Sequence, residues 1–223
     1  MSGRTERRGE TVDLAVQKIR DCILYGRFAL GQRLIARELM TELGVGRSTL
    51  REAFGKLAAD GLLELTPNRG AAVRRMSRAE MRQLFQIRES LEGLAAQLAA
   101  EQIDKDDHRQ LMEAALRDVQ RGPAASNKEF MLHNQMVHNT ILKIGGNDQL
   151  VQLLGRIHLP LVMAQVNQSL GAAQIAQSTA EHAEIVHAIL AGSPAKADAA
   201  MRRHLRRSGT WTLGLPDDVF KPS

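Results

Sequence analysis

The sequence lacks most of the features that mark secreted and membrane proteins. Among 223 residues there is one cysteine, Cys22, and 3% of the residues are aromatic. A single cysteine excludes an intramolecular disulfide, and its helical apolar setting indicates a buried small side chain rather than a redox site. No apolar run approaches the length of about 18 residues that crosses a membrane, and the polar N-terminus is unlike a signal peptide. We therefore expect a soluble, cytoplasmic protein with no membrane partner.

Aliphatic residues are abundant, and they account for most of the 43% of the chain that is hydrophobic. This composition favours a globular fold made mostly of helices. The length suits one large domain or two smaller ones.

Positive charge is confined to the first third of the chain. Residues 1–76 contain 14 Lys and Arg against 9 Asp and Glu, whereas residues 77–223 contain 16 of each. The whole excess of +5 therefore lies in the first segment. This distribution indicates a polyanion-binding domain joined to a domain with another task.

Residues 36–59 have the layout of a helix-turn-helix. Two leucines one turn apart mark a short helix, and Gly44 is suited to end it in the left-handed conformation. A second helix starts near Gly46, and its predicted buried face contains Leu50, Phe54 and Leu57. Helix, glycine turn and helix, with basic residues at the start of the second helix, is an arrangement that reads DNA.

The flanking segments complete a winged helix-turn-helix over residues 12–76. A helix is predicted before the motif, over about residues 12–25, with these buried candidates: Leu14, Ile19, Ile23 and Leu24. After the motif, residues 62–66 and 71–73 are predicted to be strands of a small β-hairpin, or wing, whose tip carries Arg69 and Gly70. Residues 1–11 are expected to form a disordered N-terminal arm.

From residue 77 onward the pattern is helical throughout. Ser77 and Glu80 have capping-box spacing, and Gly, Pro (Gly122-Pro123 among them) and Asn separate six helical segments, at about 78–101, 105–121, 126–144, 148–168, 172–191 and 195–212. We predict a mostly α protein, with an all-α six-helix bundle over residues 77–214 behind the winged helix-turn-helix. Residues 215–223 are expected to be a C-terminal tail.

The second helix of the helix-turn-helix presents residues suited to DNA. Arg47 and Arg51 are four apart and share one side of the helix, and a guanidinium pairs with guanine O6 and N7 or with phosphate. The N–H groups of Gly46, Arg47 and Ser48 offer a phosphate site, and Arg37 is placed to reach the same polyanion. The alternative is that these arginines are solvated or paired with a neighbouring glutamate.

Three histidines of the bundle are spaced so that they can meet. His138 follows Asn134 by four residues, so both face one point from a single helix. His182 and His204 stand ten positions before Gly192 and ten after Pro194, so antiparallel helices would bring them to one level. A bundle core built in this way can hold a metal. A hydrogen-bonded core histidine is the alternative for each.

Residues 12–76 resemble the DNA-binding domain of GntR-family bacterial transcription regulators. The resemblance rests on Arg37-Glu38-Leu39, Gly44-Val45, Leu50-Arg51-Glu52-Ala53, Gly61-Leu62 and Pro67-Asn68-Arg69-Gly70. It implies DNA contacts at Arg37, Gly46, Arg47, Ser48, Thr49, Arg51, Arg69 and Gly70. Gly46 departs from the Ser or Thr usual there, which removes a hydroxyl contact to phosphate. The following helices resemble the FCD-type effector domain of the FadR subfamily, closest to its six-helix VanR-like branch.

The effector-domain resemblance implies a divalent transition metal bound by Asn134, His138, His182 and His204. Asn134 stands where the family has Asp, so the site loses a negative charge and is expected to bind its metal more weakly and to prefer an anionic co-ligand. Three imidazoles favour Zn, Ni, Co, Fe or Mn over Mg or Ca, and zinc is our first choice. Arg88 falls in the apolar stripe of its helix, where it either pairs with Glu92 or binds an effector's carboxylate.

These features predict a bacterial transcription regulator, a repressor that binds a roughly palindromic double-stranded DNA operator as a homodimer. A small organic acid bound at or near the metal would control its affinity for the operator. One alternative is a metal-dependent enzyme with a DNA-binding head, because three histidines with open metal positions could activate water. Another is a DNA binder with a purely structural dimerisation bundle. We predict no enzyme, because no carboxylate is clearly placed as a base and no nucleophile motif is present.

Overall fold

The computed structural model describes residues 2–121, 124, 126–156, 159–167 and 169–222. The described residues form ten α-helices and one three-stranded antiparallel sheet, which confirms the mostly α fold class. In chain order the elements are α1 (Ser2–Leu24), β1 (Arg33–Leu34), α2 (Ala36–Leu43), α3 (Arg47–Ala59), β2 (Leu63–Thr66), β3 (Gly70–Val73), α4 (Arg78–Glu101), α5 (His108–Gln120), α6 (Asn127–Gly145), α7 (Asp148–Arg156), α8 (Leu159–Asn167), α9 (Ala172–Leu190) and α10 (Pro194–Leu213).

The chain divides into two compact units. The first consists of Met1–Met76 together with His158–Gln168, and the second of Ser77–Ile157 together with Ser169–Ser223. Helix α8 therefore belongs with the first unit, where it packs against α1. None of the described helices is both long and apolar enough to span a bilayer.

Helix α1 differs from its prediction at its start and on its buried face. It begins at Ser2, so residues 2–11 are helical where the sequence predicts a disordered arm. Arg and Glu are good helix formers and extend a helix that tertiary packing has already nucleated. Leu14, predicted to be buried, is 56% exposed, because the buried stripe consists of Val12, Ala15, Val16, Ile19 and Ile23 and leaves residue 14 on the outer side.

The helix-turn-helix follows the prediction closely. Gly44 ends α2 with a φ of 66°, and its N–H bonds back to the carbonyl of Met40. Gly46 is the extended N-cap of α3, and its lack of a side chain leaves the first turn of that helix without a side-chain cap. The buried face of α3 consists of Leu50, Ala53, Phe54 and Leu57. Hydrophobic spacing therefore sets which side of α3 points outward.

The wing is part of a sheet with one more strand than predicted. Strand β3 lies between β1 and β2, and Leu63 pairs with Val73 while Thr66 pairs with Gly70. Strand β1 was missed because two residues are too short to show an alternating pattern. At the turn, Asn68 and Gly70 both have positive φ, which Asn tolerates and Gly adopts freely.

The second unit is an α-helical bundle centred on α4, which packs against α6, α9 and α10. Its core contains a run of alanines on α4 that lets neighbouring helices approach closely. At Gly93 a Cβ atom would lie 2.6 Å from Asp198 Oδ1 on α10, so a side chain there would have to displace the carboxylate of Asp198. The Ser77–Glu80 capping box starts α4 as predicted.

The structure corrects one predicted helix, the segment 148–168, and one predicted helix stop lies outside the described residues. The segment 148–168, predicted as a single helix, contains α7 and α8, and because α8 belongs to the first unit, the second unit contains six described helices. The predicted stop at Gly122-Pro123 and the junction 157–158 lie outside the described residues.

The C-terminal segment is folded onto the start of α4 rather than being a free tail. Residues 217–219 form a 3₁₀ turn, and Phe220 is buried. Arg78 donates hydrogen bonds to the carbonyls of Leu213 and Leu215 and pairs with Asp217 at 2.6 Å. Its guanidinium carbon lies 4.2 Å from the centre of the Phe220 ring, so this arginine contacts the segment at several points.

Candidate DNA-binding surface and metal centre

The outer side of α3 carries the arginines that the sequence singles out. Arg47, Ser48 and Arg51 are exposed, and Thr49 is half-buried toward the core. Within the described part of the chain, neither Arg47 nor Arg51 takes part in an ion pair. The alternative of pairing with a neighbouring glutamate is therefore not what the structure contains.

Two further basic positions lie on the elements around α3. Arg37 is exposed in the first turn of α2, and Arg69 and Gly70 are exposed at the tip of the wing. The wing tip is held by a hydrogen bond from the N–H of Arg69 to the carbonyl of Thr66 at 3.0 Å. A tight, exposed turn of this kind can approach a phosphate backbone closely.

The three predicted histidines converge in the core of the second unit. His138 comes from α6, His182 from α9 and His204 from α10, and all three are buried. Their ring centres are 4.7 to 5.7 Å apart. One ligand nitrogen from each ring lies within 4.8 Å of the other two. Helix spacing predicted that His182 and His204 meet, and the resemblance to the FCD-type effector domain added His138.

Two of the ring nitrogens of the cluster are buried without a protein partner. The Nε2 atoms of His138 and His182 are fully buried and have no hydrogen-bond partner among the described residues. A buried polar atom left unsatisfied costs about 1–3 kcal/mol. Converging, unpartnered imidazole nitrogens are the donor set that a divalent transition metal requires, so the residues present fit such an ion.

Two of the histidines each contact a buried carboxylate on the side of the ring that carries Nδ1. Glu92 Oε2 is 2.5 Å from His138 Nδ1, and Glu181 Oε2 is 2.8 Å from His204 Nδ1. A carboxylate acceptor places the proton on Nδ1 and leaves the lone pair on Nε2. Sequence reasoning missed this role of Glu92 and Glu181; the available signal was an acidic residue inside the apolar stripe of α4.

Burial and neighbouring charges shift the pKa values of this cluster. Burial lowers the pKa of His182 well below its usual value, and His204 and His138 add to the effect. Burial also lowers the pKa of His204 to about 4, although its hydrogen bond to Glu181 acts in the opposite direction. Neutral pH therefore leaves both rings uncharged, as metal ligation requires.

The two glutamates remain charged in spite of their surroundings. Burial alone would raise the pKa of Glu92, but the charges of Arg88 and His138 bring it well below its usual range. Burial likewise opposes ionisation of Glu181, but hydrogen bonds from His204, Gln177 and Arg207 lower its pKa to about 2. The cluster thus combines the neutral rings of His182 and His204 with two ionised carboxylates.

Arg88 and Asn134 occupy buried positions next to the cluster. Arg88 donates its Nε–H to Glu92 Oε1 at 2.7 Å, which is the ion pair considered from the sequence. Its guanidinium carbon also lies 5.1 Å from the centre of the Phe85 ring. Asn134 is buried one turn before His138 on α6.

Comparison with known proteins matches both parts of the chain to described families. Residues 11–73 match the model of bacterial regulatory proteins of the gntR family, and residues 83–207 match the FCD domain. The "Probable D-xylose utilization operon transcriptional repressor" of Paenarthrobacter nicotinovorans is 29% identical over 187 residues, which cover 82% of this chain and 80% of the relative.

Solved structures have the same fold. A GntR regulator from a Rhodococcus species has a TM-score of 0.75 at 21% identity, covering 93% of this chain and 99% of its own. McbR/YncC of Escherichia coli has a TM-score of 0.73 at 16% identity, covering 91% of this chain and 96% of its own. At these sequence identities the likeness shows the fold alone.

Proposed function

This chain belongs to the GntR family of bacterial transcription regulators and carries an FCD domain, and from that premise we propose a homodimeric, cytoplasmic repressor controlled by a small organic acid. The chain is a DNA-binding transcriptional regulator, and its relative from Paenarthrobacter is named as a repressor. The observation that carries the regulatory part is the buried cluster of three histidines with converging ligand nitrogens.

The proposed metal ligands are His138, His182 and His204, with Asn134 as a neutral fourth ligand. Zinc is our first choice, and nickel, cobalt, iron and manganese suit the same donors. When bound, the metal supplies a Lewis-acidic position for an oxygen ligand. We propose no catalysis, because the buried acids Glu92 and Glu181 are each held by an arginine and are not free to act as a base.

The neutral ligand set indicates the chemical class of the effector. Four uncharged ligands bring no charge of their own to a divalent ion, which favours an anionic co-ligand such as a carboxylate. Arg88 donates Nε–H to Glu92, and a guanidinium has further N–H donors with which to bind the same carboxylate. We therefore place the effector between the metal and Arg88.

The proposed DNA contacts follow from exposure on the helix-turn-helix and wing. In a homodimer, two copies of α3 would enter successive major grooves of a roughly palindromic operator. Arg47 and Arg51 are assigned to base edges. Contacts to the DNA backbone are assigned to Arg37, Gly46, Ser48, Thr49, Arg69 and Gly70. The effector would bind one arrangement of the dimer better and thereby change its affinity for the operator.

The test combines metal analysis with a ligand screen on the full chain. Elemental analysis of the purified protein should find a transition metal, and small organic acids should raise the melting temperature only when metal is present. A ligand at 100 times its Kd adds about 2.7 kcal/mol of stability, which a thermal shift detects easily. Ligands that act should then change operator binding in a gel-shift experiment.

A double substitution isolates the metal part of this proposal. The variant His138→Ala/His182→Ala should lose both metal and ligand response, whereas His133→Ala, on the same helix as His138 but outside the cluster, should keep both. A double variant that retains metal and effector response would rule out the histidine site.

A further inference from the structure

The histidine cluster is flanked by two matched sets of contacts, in each of which an Arg–Glu ion pair is continued by a hydrogen bond between the glutamate and a histidine. In one, Glu92 binds Arg88 through Oε1 and His138 through Oε2; in the other, Glu181 binds Arg207 through Oε1 and His204 through Oε2. The Arg–Glu distances are 2.7 and 2.5 Å, and the Glu–His distances are 2.5 and 2.8 Å. We name these two sets of side-chain contacts the Arg–Glu–His relays.

The relays connect four different helices around the cluster. Glu92 lies on α4 and bonds to a histidine of α6, whereas Glu181 lies on α9 and bonds to a histidine of α10. Both glutamates are buried. Arg207 is further held by Ser178 at 2.8 Å, and Gln177 donates to Glu181 Oε1 at 2.9 Å. Each carboxylate is thus fixed in position by donors on both oxygens.

We propose that Glu92 and Glu181 are positioning residues that set the metal affinity of this site. They lock His138 and His204 in the tautomer that presents Nε2 to the centre, and they supply the negative charge that the neutral ligands lack. This inference rests on the proposed metal site. The arginines keep the carboxylate oxygens turned away from the centre, so the remaining metal positions stay open for an external anion.

The physical basis is the effect of outer carboxylates on ligand basicity. A carboxylate that accepts the Nδ1–H of an imidazole fixes the ring orientation and makes Nε2 a better donor. Substitution of such partners weakens metal binding by about 10–100-fold. A purely structural ion pair would affect stability when removed, but it would leave the affinity for the metal unchanged.

The decisive measurement is the Kd for Zn²⁺ of the full chain, determined by competition with a chelator. Glu92→Gln and Glu181→Gln should each weaken Zn²⁺ binding by about 10–100-fold, and the double variant should weaken it further. Glu184→Gln is the matched control, because Glu184 lies on α9 but forms an exposed pair with Arg203. Its affinity for Zn²⁺ should equal that of the unaltered protein.

A rescue experiment separates charge from packing. Asn134→Asp adds a carboxylate one turn before His138 and should restore much of the affinity that Glu181→Gln loses, although residue 181 is on another helix. Failure of this rescue would overturn the charge part of the inference. Equal Kd values for the unaltered protein and both glutamine variants would overturn the inference as a whole, while the metal site would stand.

Two further outcomes are informative without depending on the folding of any variant. Nitrogen-15 NMR of the metal-free protein should show His138 and His204 protonated at Nδ1, and an Nε2–H tautomer at both would overturn the inference. An unaltered protein that binds no Zn²⁺ would overturn this inference together with the proposed metal site, so the two failures are distinguishable.

Discussion

The side chain of Gln165 bonds to both backbone groups of Met76. Its Oε1 accepts from the N–H of Met76 at 2.9 Å, and its Nε2 donates to the carbonyl of Met76 at 3.0 Å. Both residues are buried. Since Met76 is the last residue of the first unit before the N-cap of α4, helix α8 fixes the end of the winged helix-turn-helix domain from a position 89 residues further along the chain.

We expect Gln165→Ala to destabilise the first unit, because it leaves a buried N–H and a buried carbonyl without their partner. Each unsatisfied group costs about 1–3 kcal/mol, so urea unfolding should show a loss of at least that size. Gln152→Ala, at an exposed position of α7, is the control and should stay within about 0.5 kcal/mol of the unaltered protein. Equal losses in the two variants would contradict the importance of the Gln165–Met76 contact.

The C-terminal segment should be released when its contacts to Arg78 are removed. Arg78→Ala removes hydrogen bonds to two carbonyls, the pair with Asp217 and the contact with the Phe220 ring. Carboxypeptidase should therefore digest this variant faster, and Phe220→Ala should behave similarly because it removes the buried anchor. Arg82→Ala, an exposed residue one turn further along α4, should leave the digestion rate unchanged. Resistance in both test variants would show that other contacts hold the segment.

The metal-free protein should lose stability as the pH falls from about 6.5 to about 4. Burial lowers the pKa of His204 from 6.5 to about 4 in the folded state, so the unfolded chain binds more protons throughout this window and gains free energy relative to the folded form. A shift of this size corresponds to a loss of about 3 kcal/mol. His182 shifts in the same direction.

Urea unfolding of metal-free protein across this pH range measures the loss. His204→Gln should reduce the slope of the profile, because a glutamine has no proton to gain and only His182 then contributes, whereas His187→Gln, at an exposed position of α9, should leave the slope unchanged. Glu181 contributes in a separate, more acidic window, since its stabilisation is lost only as the pH falls toward its folded pKa of about 2. A profile without a slope between about pH 6.5 and 4 would contradict burial as the cause.

Local patterns predicted the helix-turn-helix and the approach of His182 to His204, because both depend on helical spacing and on the turns that end helices. Gly44, the Ser77 capping box and the loop at Gly192 are short-range features with known geometry. His182 lies ten positions before Gly192 and His204 lies ten positions after Pro194, and this spacing was enough to bring the two histidines together.

Long-range contacts were beyond the sequence, because no local spacing encodes them. The bond between Glu92 and His138 joins residues 46 positions apart, and nothing around Glu92 distinguishes a partner of histidine from a partner of Arg88 alone. The docking of Gln165 on Met76 and the folding of Phe220 under Arg78 are of the same kind. Strand β1 was not predicted from the sequence for a different reason, since its two residues become a strand only by pairing with β3.

Arg47→Ala and Arg51→Ala should each weaken specific operator binding by about 1–3 kcal/mol. Both side chains are exposed on α3 and are not among its buried residues, which include Leu50 and Phe54, so their removal should not disturb the fold. The operator would first be selected from a random DNA library with the full chain, and Kd values would then be measured at a fixed salt concentration. Arg203→Ala, exposed on α10 of the second unit, is the control and should bind the selected DNA as the unaltered protein does.

The salt dependence of binding distinguishes base contacts from phosphate contacts. If Arg69 at the wing tip binds phosphate, Arg69→Ala should reduce the slope of log K against log salt by about 1 and weaken binding to all sequences alike. Loss of a base contact at Arg47 or Arg51 should instead relax sequence preference at a single position of each half-site. Unchanged affinity and preference in both α3 variants would mean that another face of the domain reads the DNA, because α3 could not then lie in the major groove with these arginines toward the bases.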